Sequence, residues 1–100
     1  MSEQGIDQRE SSLETLRETH AFPCEFQFKV IGANSSSFVA RVVQAGINAV
    51  GPTATPRIST KESSKGSYIS VSMEMTMKDA ETILDVYDGV RNLEQVKFVL

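Results

Sequence analysis

The chain has 100 residues, of which 40% are apolar and 23% are charged, and its formal net charge at pH 7 is −3. This length predicts one domain with a modest core and is too short for two. No apolar run approaches the roughly 18 residues of a membrane span, and the first residues lack the basic and apolar regions of a secretory signal. A single cysteine, Cys24, excludes an intramolecular disulfide framework and favours a reducing compartment, so we expect a cytoplasmic protein outside membranes.

The negative charge is concentrated at the N-terminus. Residues 1–20 hold five acids and two arginines, which leaves eight acids and eight bases in residues 21–100. We therefore predict an acidic N-terminal extension over 1–20, partly disordered over its first ten residues, and a neutral domain over 21–100. Within the extension, Ser11-Ser12-Leu13-Glu14 has the form of a capping box and predicts a short helix to Thr19.

The first element of the domain is a predicted strand over residues 24–31, because apolar and polar residues alternate along CEFQFKVIG. One face of this strand is expected to be buried and the other wet. Asn34 and Ser35 are good N-caps for a helix through about Gln44, and Gly46, Gly51 and Pro52 are expected to break that helix.

Two more strands and a second helix are predicted next. The weaker strand, Pro56–Lys61, has one large apolar residue and is expected at an edge of the sheet. The stronger strand, residues 67–77, places three methionines on its apolar face, where we expect core packing. Thr76 is the expected cap of the following helix, and Gly89 and Asn92 are expected to mark its end.

A last strand is predicted over residues 95–100. Its alternation places Val96, Phe98 and Leu100 on one face, expected inward, and leaves Val99 outward. The element order is therefore βαββαβ, and each strand and helix has one apolar face. These features predict an α+β fold, the ferredoxin-like two-layer sandwich, with two helices on one face of a four-stranded antiparallel sheet. Right-handed crossovers place the strands of residues 24–31 and 67–77 at the centre.

The stretch KESSKGSY before the strongest strand raises the question of a phosphate-binding loop. Such a loop needs two glycines before its lysine and a helix after it, whereas here Lys65 precedes Gly66 and a strand follows. We therefore predict a hairpin corner at Ser63-Ser64-Lys65-Gly66, in which Gly66 has a positive φ. Lys65 and the serines could also contact a partner there.

Several of these segments together resemble a known family. Phe22-Pro23-Cys24-Glu25-Phe26, Lys29-Val30-Ile31-Gly32 and Ser63-Ser64-Lys65-Gly66-Ser67-Tyr68 with Val71-Ser72 resemble the YbeD-like family of small bacterial and plant proteins of unknown function. The closing Val96-Lys97-Phe98-Val99-Leu100 is also similar to that family's C-terminal strand. The resemblance covers roughly residues 20–100 and implies a ferredoxin-like fold similar to ACT-type regulatory domains, with no assigned activity. The acidic N-terminus departs from the family's short lead-in.

The turn between the first strand and the first helix is a candidate ligand site. Gly32, Asn34 and Ser35 bring exposed amides to a helix N-terminus, an arrangement that suits an anion or a carboxylate. ACT-type domains bind amino acids around the corresponding turn. The acidic residue that they commonly use for the ligand's amine is absent here, and an ordinary capped turn accounts for the same residues.

The wet face of the sheet and its edge form the second candidate, a partner surface. It comprises Lys29, Arg57, Lys61, Lys65, Tyr68, Lys97 and Val99. Among the aromatic residues only Tyr68 is expected to point outward, so an RNA-binding face would lack its stacking platform. The neutral domain also argues against nucleic acid. Unpaired backbone groups on the last strand predict a weak homodimer through residues 95–100.

Catalytic and metal chemistry have little support in this sequence. His20 and Cys24 are the only soft ligands, too few for a zinc site, and no third group is apparent that would orient a Cys–His pair. We predict no catalytic residue, no metal and no cofactor. The favoured interpretation is a non-enzymatic regulatory or protein-interaction module with an unidentified protein partner. A small-ligand sensor is the alternative, and a weak RNA binder comes third.

Overall fold

A computed structural model describes residues 3–100, with side chains from residue 8 onward. Its elements in chain order are α1 (Glu3–Thr19), β1 (Cys24–Ala33), α2 (Ser36–Val50), β2 (Arg57–Glu62), β3 (Tyr68–Met77), α3 (Ala80–Arg91) and β4 (Val96–Val99). The four strands form one antiparallel sheet in the order β2-β3-β1-β4. The predicted α+β sandwich is confirmed, with the two expected strands at its centre.

The core lies between the sheet and helices α2 and α3. The alternation predicted for β1 and β3 is confirmed, because every second residue of β3 from Ile69 to Met77 is buried, including all three methionines. Phe28 and Val30 of β1 meet them in register, and Phe38 of α2 packs into the same cluster. We call the helix-covered side of the sheet the inner face and the other side the outer face.

Helix α2 is longer than the sequence predicted and runs from Ser36 to Val50, with Ser35 as its N-cap. The prediction that Gly46 breaks the helix is wrong, whereas Gly51, also expected to break it, is its C-cap. Gly46 is buried within the helix, and a Cβ at this position would lie 2.7 Å from Met73 Sδ. The glycine lets the helix approach the sheet closely. In the sequence alone, a glycine with this role looks the same as a glycine that ends a helix.

Helix α3 begins with Asp79 as its N-cap; Thr76, the predicted cap, lies within β3. The Asp79 carboxylate accepts hydrogen bonds from the Thr82 hydroxyl at 2.6 Å and from the Thr82 N–H at 2.8 Å. These bonds hold the pKa of Asp79 below its ordinary value, and the bond from the hydroxyl group has the larger effect. The helix continues through Gly89 to Arg91, so Gly89 does not end it, and Asn92, the other residue expected to mark the end, is its C-cap.

The β2–β3 connection is the predicted hairpin corner. The N–H of Gly66 donates to the carbonyl oxygen of Ser63 at 2.9 Å, and the N–H of Ser63 donates to the carbonyl oxygen of Tyr68 at 2.9 Å. Gly66 has φ 76°, so the predicted positive φ is confirmed. A strand follows this turn, as the sequence had indicated.

Strand β4 has a β-bulge that the sequence analysis missed. One step along β1, from Ile31 to Gly32, corresponds to two steps along β4, from Phe98 to Val96. Lys97 is therefore the extra residue, opposed by no residue of its own on β1. A bulge shifts the alternation of a strand by one residue, so the inward and outward sides change places beyond it.

The predicted orientations in β4 are therefore partly wrong. Val99, expected outward, pairs with the buried Val30 and packs against the core. Phe98 and Leu100, expected inward, are exposed. The backbone of Leu100 exchanges hydrogen bonds with that of Lys29, and this pairing places Leu100 on the same outer face as Lys29.

Helix α1 lies against α3 and begins earlier than the predicted capping box. Its Leu13 is buried, and Arg9 lies 3.6 Å from Asp85 and 3.5 Å from Asp88. Arg17 likewise pairs with Glu81 of α3. The disorder predicted for residues 1–10 stays a prediction, and residues 1–2 lie outside the described part.

Candidate functional site

At the end of the outer face nearest Cys24, one arginine and two glutamates form a network of ion pairs. Arg57 of β2 lies 2.9 Å from Glu25 of β1 and also pairs with Glu74 of β3, while the Thr76 hydroxyl bonds to Glu25. The hydrogen bond with Glu74, followed by the charges of Glu74 and Glu25, raises the pKa of Arg57 above its ordinary value. Both carboxylates of this face therefore have a cationic partner.

The other end of the outer face is basic. Lys29, Lys61 and Lys97 are exposed there, as the sequence predicted, and Lys65 lies in the adjoining turn. Among residues 8–100, no carboxylate lies within 4.0 Å of any of these four ammonium groups. Within that range the four ammonium groups therefore have no ion-pair partner, although the carboxylate residue Glu62 follows Lys61 at the end of β2.

Apolar side chains lie among these lysines. Tyr68 is 41% exposed, Phe98 59% and Leu100 64%, and the half-buried Ile31 lies between the strands that carry them. The Nζ of Lys97 is 5.7 Å from the centroid of the Tyr68 ring, a cation–π distance. The prediction that only Tyr68 points outward among the aromatic residues is wrong, because the bulge turns Phe98 outward as well.

A shallow depression of about 210 Å³ lies beside Tyr68 on this face. Its walls include Ile31, Lys61, Glu62, Ser63 and Ser70, so it combines apolar groups with an ammonium group, a carboxylate and hydroxyls. We call this depression, together with Lys29, Lys97, Phe98 and Leu100, the basic-aromatic surface. Large exposed apolar groups, here beside lysines that have no ion-pair partner in the described part of the chain, are typical of a surface that contacts a partner.

In the turn that was predicted to bind a ligand, the polar side chains make hydrogen bonds within the chain. Ser35 Oγ accepts the N–H of Phe38 at 3.1 Å, and Asn34 Nδ2 donates to the carbonyl oxygen of Gly66 at 2.9 Å. Gly32 lies within β1, and a Cβ there would overlap the Phe38 ring. The ligand-binding role of these three residues stays a prediction, and both side chains already have partners within the chain.

The two candidate soft metal ligands of the sequence are His20 and Cys24. The His20 ring packs edge-on against Phe26, with 5.4 Å between centroids, and Cys24 is half-buried on the inner side of β1. In the described part of the chain, no three His, Cys, Asp or Glu side chains are arranged to hold a metal ion. Within the same residues, no helix is both long and apolar enough to cross a membrane.

These features define the class: a small α+β sandwich protein with a ferredoxin-like core and one uncovered sheet face. A solved structure with this fold is the solution structure of protein HP0495 from H. pylori, with a TM-score of 0.62. The match covers 81% of this chain and 85% of that chain at 15% sequence identity, so it supports the fold alone.

Sequence comparison identifies the family. Residues 17–100 match the family described as a protein of unknown function (DUF493), and the chain belongs to that family. It is 38% identical over 85 residues to UPF0250 proteins of Yersinia pestis (strain Pestoides F) and Yersinia pseudotuberculosis serotype O:1b (strain IP 31758), covering 85% of this chain and 95% of each relative. The predicted resemblance is confirmed. Most of α1 precedes the matched region.

Proposed function

We propose that this chain is a non-enzymatic, cytoplasmic interaction module that acts as a regulator by binding a macromolecular partner across its basic-aromatic surface. The observation that carries the proposal is the juxtaposition, on one sheet face, of exposed apolar side chains with lysines that have no ion-pair partner in the described part of the chain. Tyr68 and Phe98 offer large contact area, and both types are typical of interface anchors. Lysines around them would steer an acidic partner to the site.

The residues best suited to catalysis have other roles in this fold, which supports the non-enzymatic part of the proposal. Asp79 caps α3, His20 packs against aromatic rings, and Cys24 faces the inner side of the sheet. A side chain held by such contacts is poorly placed to move a proton or attack a substrate.

Affinity capture with matched variants tests the proposal. The tagged full chain is compared with a double variant of the surface, Lys97→Gln with Phe98→Ser, and with a control on exposed positions of α2, Arg41→Gln with Gln44→Ala. Both bound protein and bound RNA are quantified. We expect a captured partner that the parent and the α2 control retain equally and the surface variant loses. A partner lost only with the α2 control would contradict the proposal.

A further inference from the structure

Two exposed aromatic rings lie on the outer face on either side of β1. Tyr68 of β3 is opposite Ala33, and Phe98 of β4 is opposite Ile31, two residues earlier in β1. From strand spacing and rise, the two Cα atoms are about 12 Å apart. One planar ligand cannot cover both rings at that distance, so the rings suit a ligand with several flat groups in succession.

The lysines of the surface surround these rings. Lys97 lies over Tyr68, Lys61 lines the depression beside it, and Lys29 is paired with Leu100 next to Phe98. Flat groups between repeated negative charges are the defining chemistry of a single-stranded nucleic acid, whose bases stack on aromatic side chains while its phosphates meet ammonium groups.

The net charge of −3 does not describe this face. Glu81, Asp85 and Asp88 lie on α3 in the helix layer, where they meet the arginines of α1, and the two outer-face carboxylates are paired with Arg57. These five carboxylates are therefore held away from the basic end of the sheet, whereas Glu62 lines the depression at that end and is outnumbered there by the four lysines. The neutral composition of residues 21–100, which argued against nucleic acid, averages over two faces of different charge.

From this arrangement, and resting on the proposed function, we infer that the partner of the basic-aromatic surface is a single-stranded nucleic acid. Tyr68 and Phe98 each stack one base, and Lys29, Lys61 and Lys97 contact phosphates, with Lys65 at the border. A duplex fits less well, because its bases are already stacked and the sheet face has no helix or ribbon to enter a groove. An acidic protein segment would also use the lysines and pack on the rings, but the spacing of the two rings matches no repeated feature of such a segment.

Fluorescence anisotropy with the full chain and a fluorescein-labelled oligouridylate of about twelve nucleotides tests the inference. With three or four phosphates neutralised, the affinity should fall about 20- to 50-fold between roughly 50 and 200 mM salt. Tyr68→Ala and Phe98→Ser should each weaken binding about 5- to 100-fold. Tyr68→Phe keeps the ring and should bind like the parent.

Lys78→Gln is the charge-matched control, because Lys78 is exposed but lies beyond the other end of β3. Lys97→Gln should weaken binding several-fold more than Lys78→Gln, with circular dichroism melts showing that all variants remain folded. Equal losses for the two lysine variants, or equal affinity for a duplex of the same length, would overturn the inference. If captured protein depends on the surface while oligouridylate does not bind, the inference fails and the proposed function stands.

Discussion

Gly32→Ala is expected to destabilise the fold strongly, because the added methyl group has no room. A Cβ at this position would lie 2.6 Å from Phe38 Cε1, and closer still to Phe38 Cζ and to the carbonyl oxygen of Gln95. The Gln95 oxygen is backbone and also accepts the N–H of Ala33 at 3.2 Å, so it cannot retreat without disturbing the β1–β4 pairing. Overpacking of this kind typically costs about 1–3 kcal/mol, and we expect the upper end.

The matched control for this substitution is Gly89→Ala. A Cβ at Gly89 would lie 3.7 Å from the Cβ of Ala45, an ordinary contact, and the position is inside α3. Replacing glycine by alanine within a helix contributes up to about 1 kcal/mol, so this variant should be as stable as the parent or more stable.

Urea denaturation followed by circular dichroism measures both glycine variants. A loss of about 3 kcal/mol corresponds to a melting temperature roughly 12–24 °C lower for a domain of this size. A Gly32→Ala protein with the parent's urea midpoint would refute the reasoning, because it would mean that β4 and the Phe38 ring can move aside freely.

Four further outcomes are expected. Val71→Asp should abolish the cooperative melt, because Val71 is fully buried on a central strand; a parent-like melt would contradict its inward orientation. Gly66→Val should lose at least about 1 kcal/mol, since φ is 76°, and an unchanged urea midpoint would be inconsistent with that strain. Asp79→Ala should lose about 1 kcal/mol by removing the cap. Because the folded pKa of Asp79 is lowered, its contribution is complete above the unfolded pKa of about 3.9 and is lost as pH falls through the folded value. The difference between parent and variant in urea titrations should therefore shrink in acid, and a constant difference down to the lowest pH would argue against it. The homodimer through residues 95–100 remains a proposal: light scattering should show association of the parent and less of Phe98→Lys, and a parent that stays monomeric at high micromolar concentration would exclude it.

The element order and the faces of the two central strands could be predicted from the sequence alone. Alternation over residues 24–30 of β1 and over the ten residues of β3 leaves one orientation that buries the apolar side chains, so Val71 and the methionines could be assigned to the core. The hairpin corner followed from Gly66, because a glycine between strands is the residue that accepts a positive φ. These features depend on short-range chemistry that each segment carries by itself.

The orientation of β4 was decided by tertiary structure. A strand of four residues has too few positions for alternation to be decisive, and its pairing with β1 introduces the bulge at Lys97. That bulge turns Val99 inward and Phe98 outward, and so creates the aromatic part of the candidate surface. Gly46 is similar, since only the approach of Met73 distinguishes a glycine that permits contact from one that ends a helix. Both outcomes depend on residues distant in sequence.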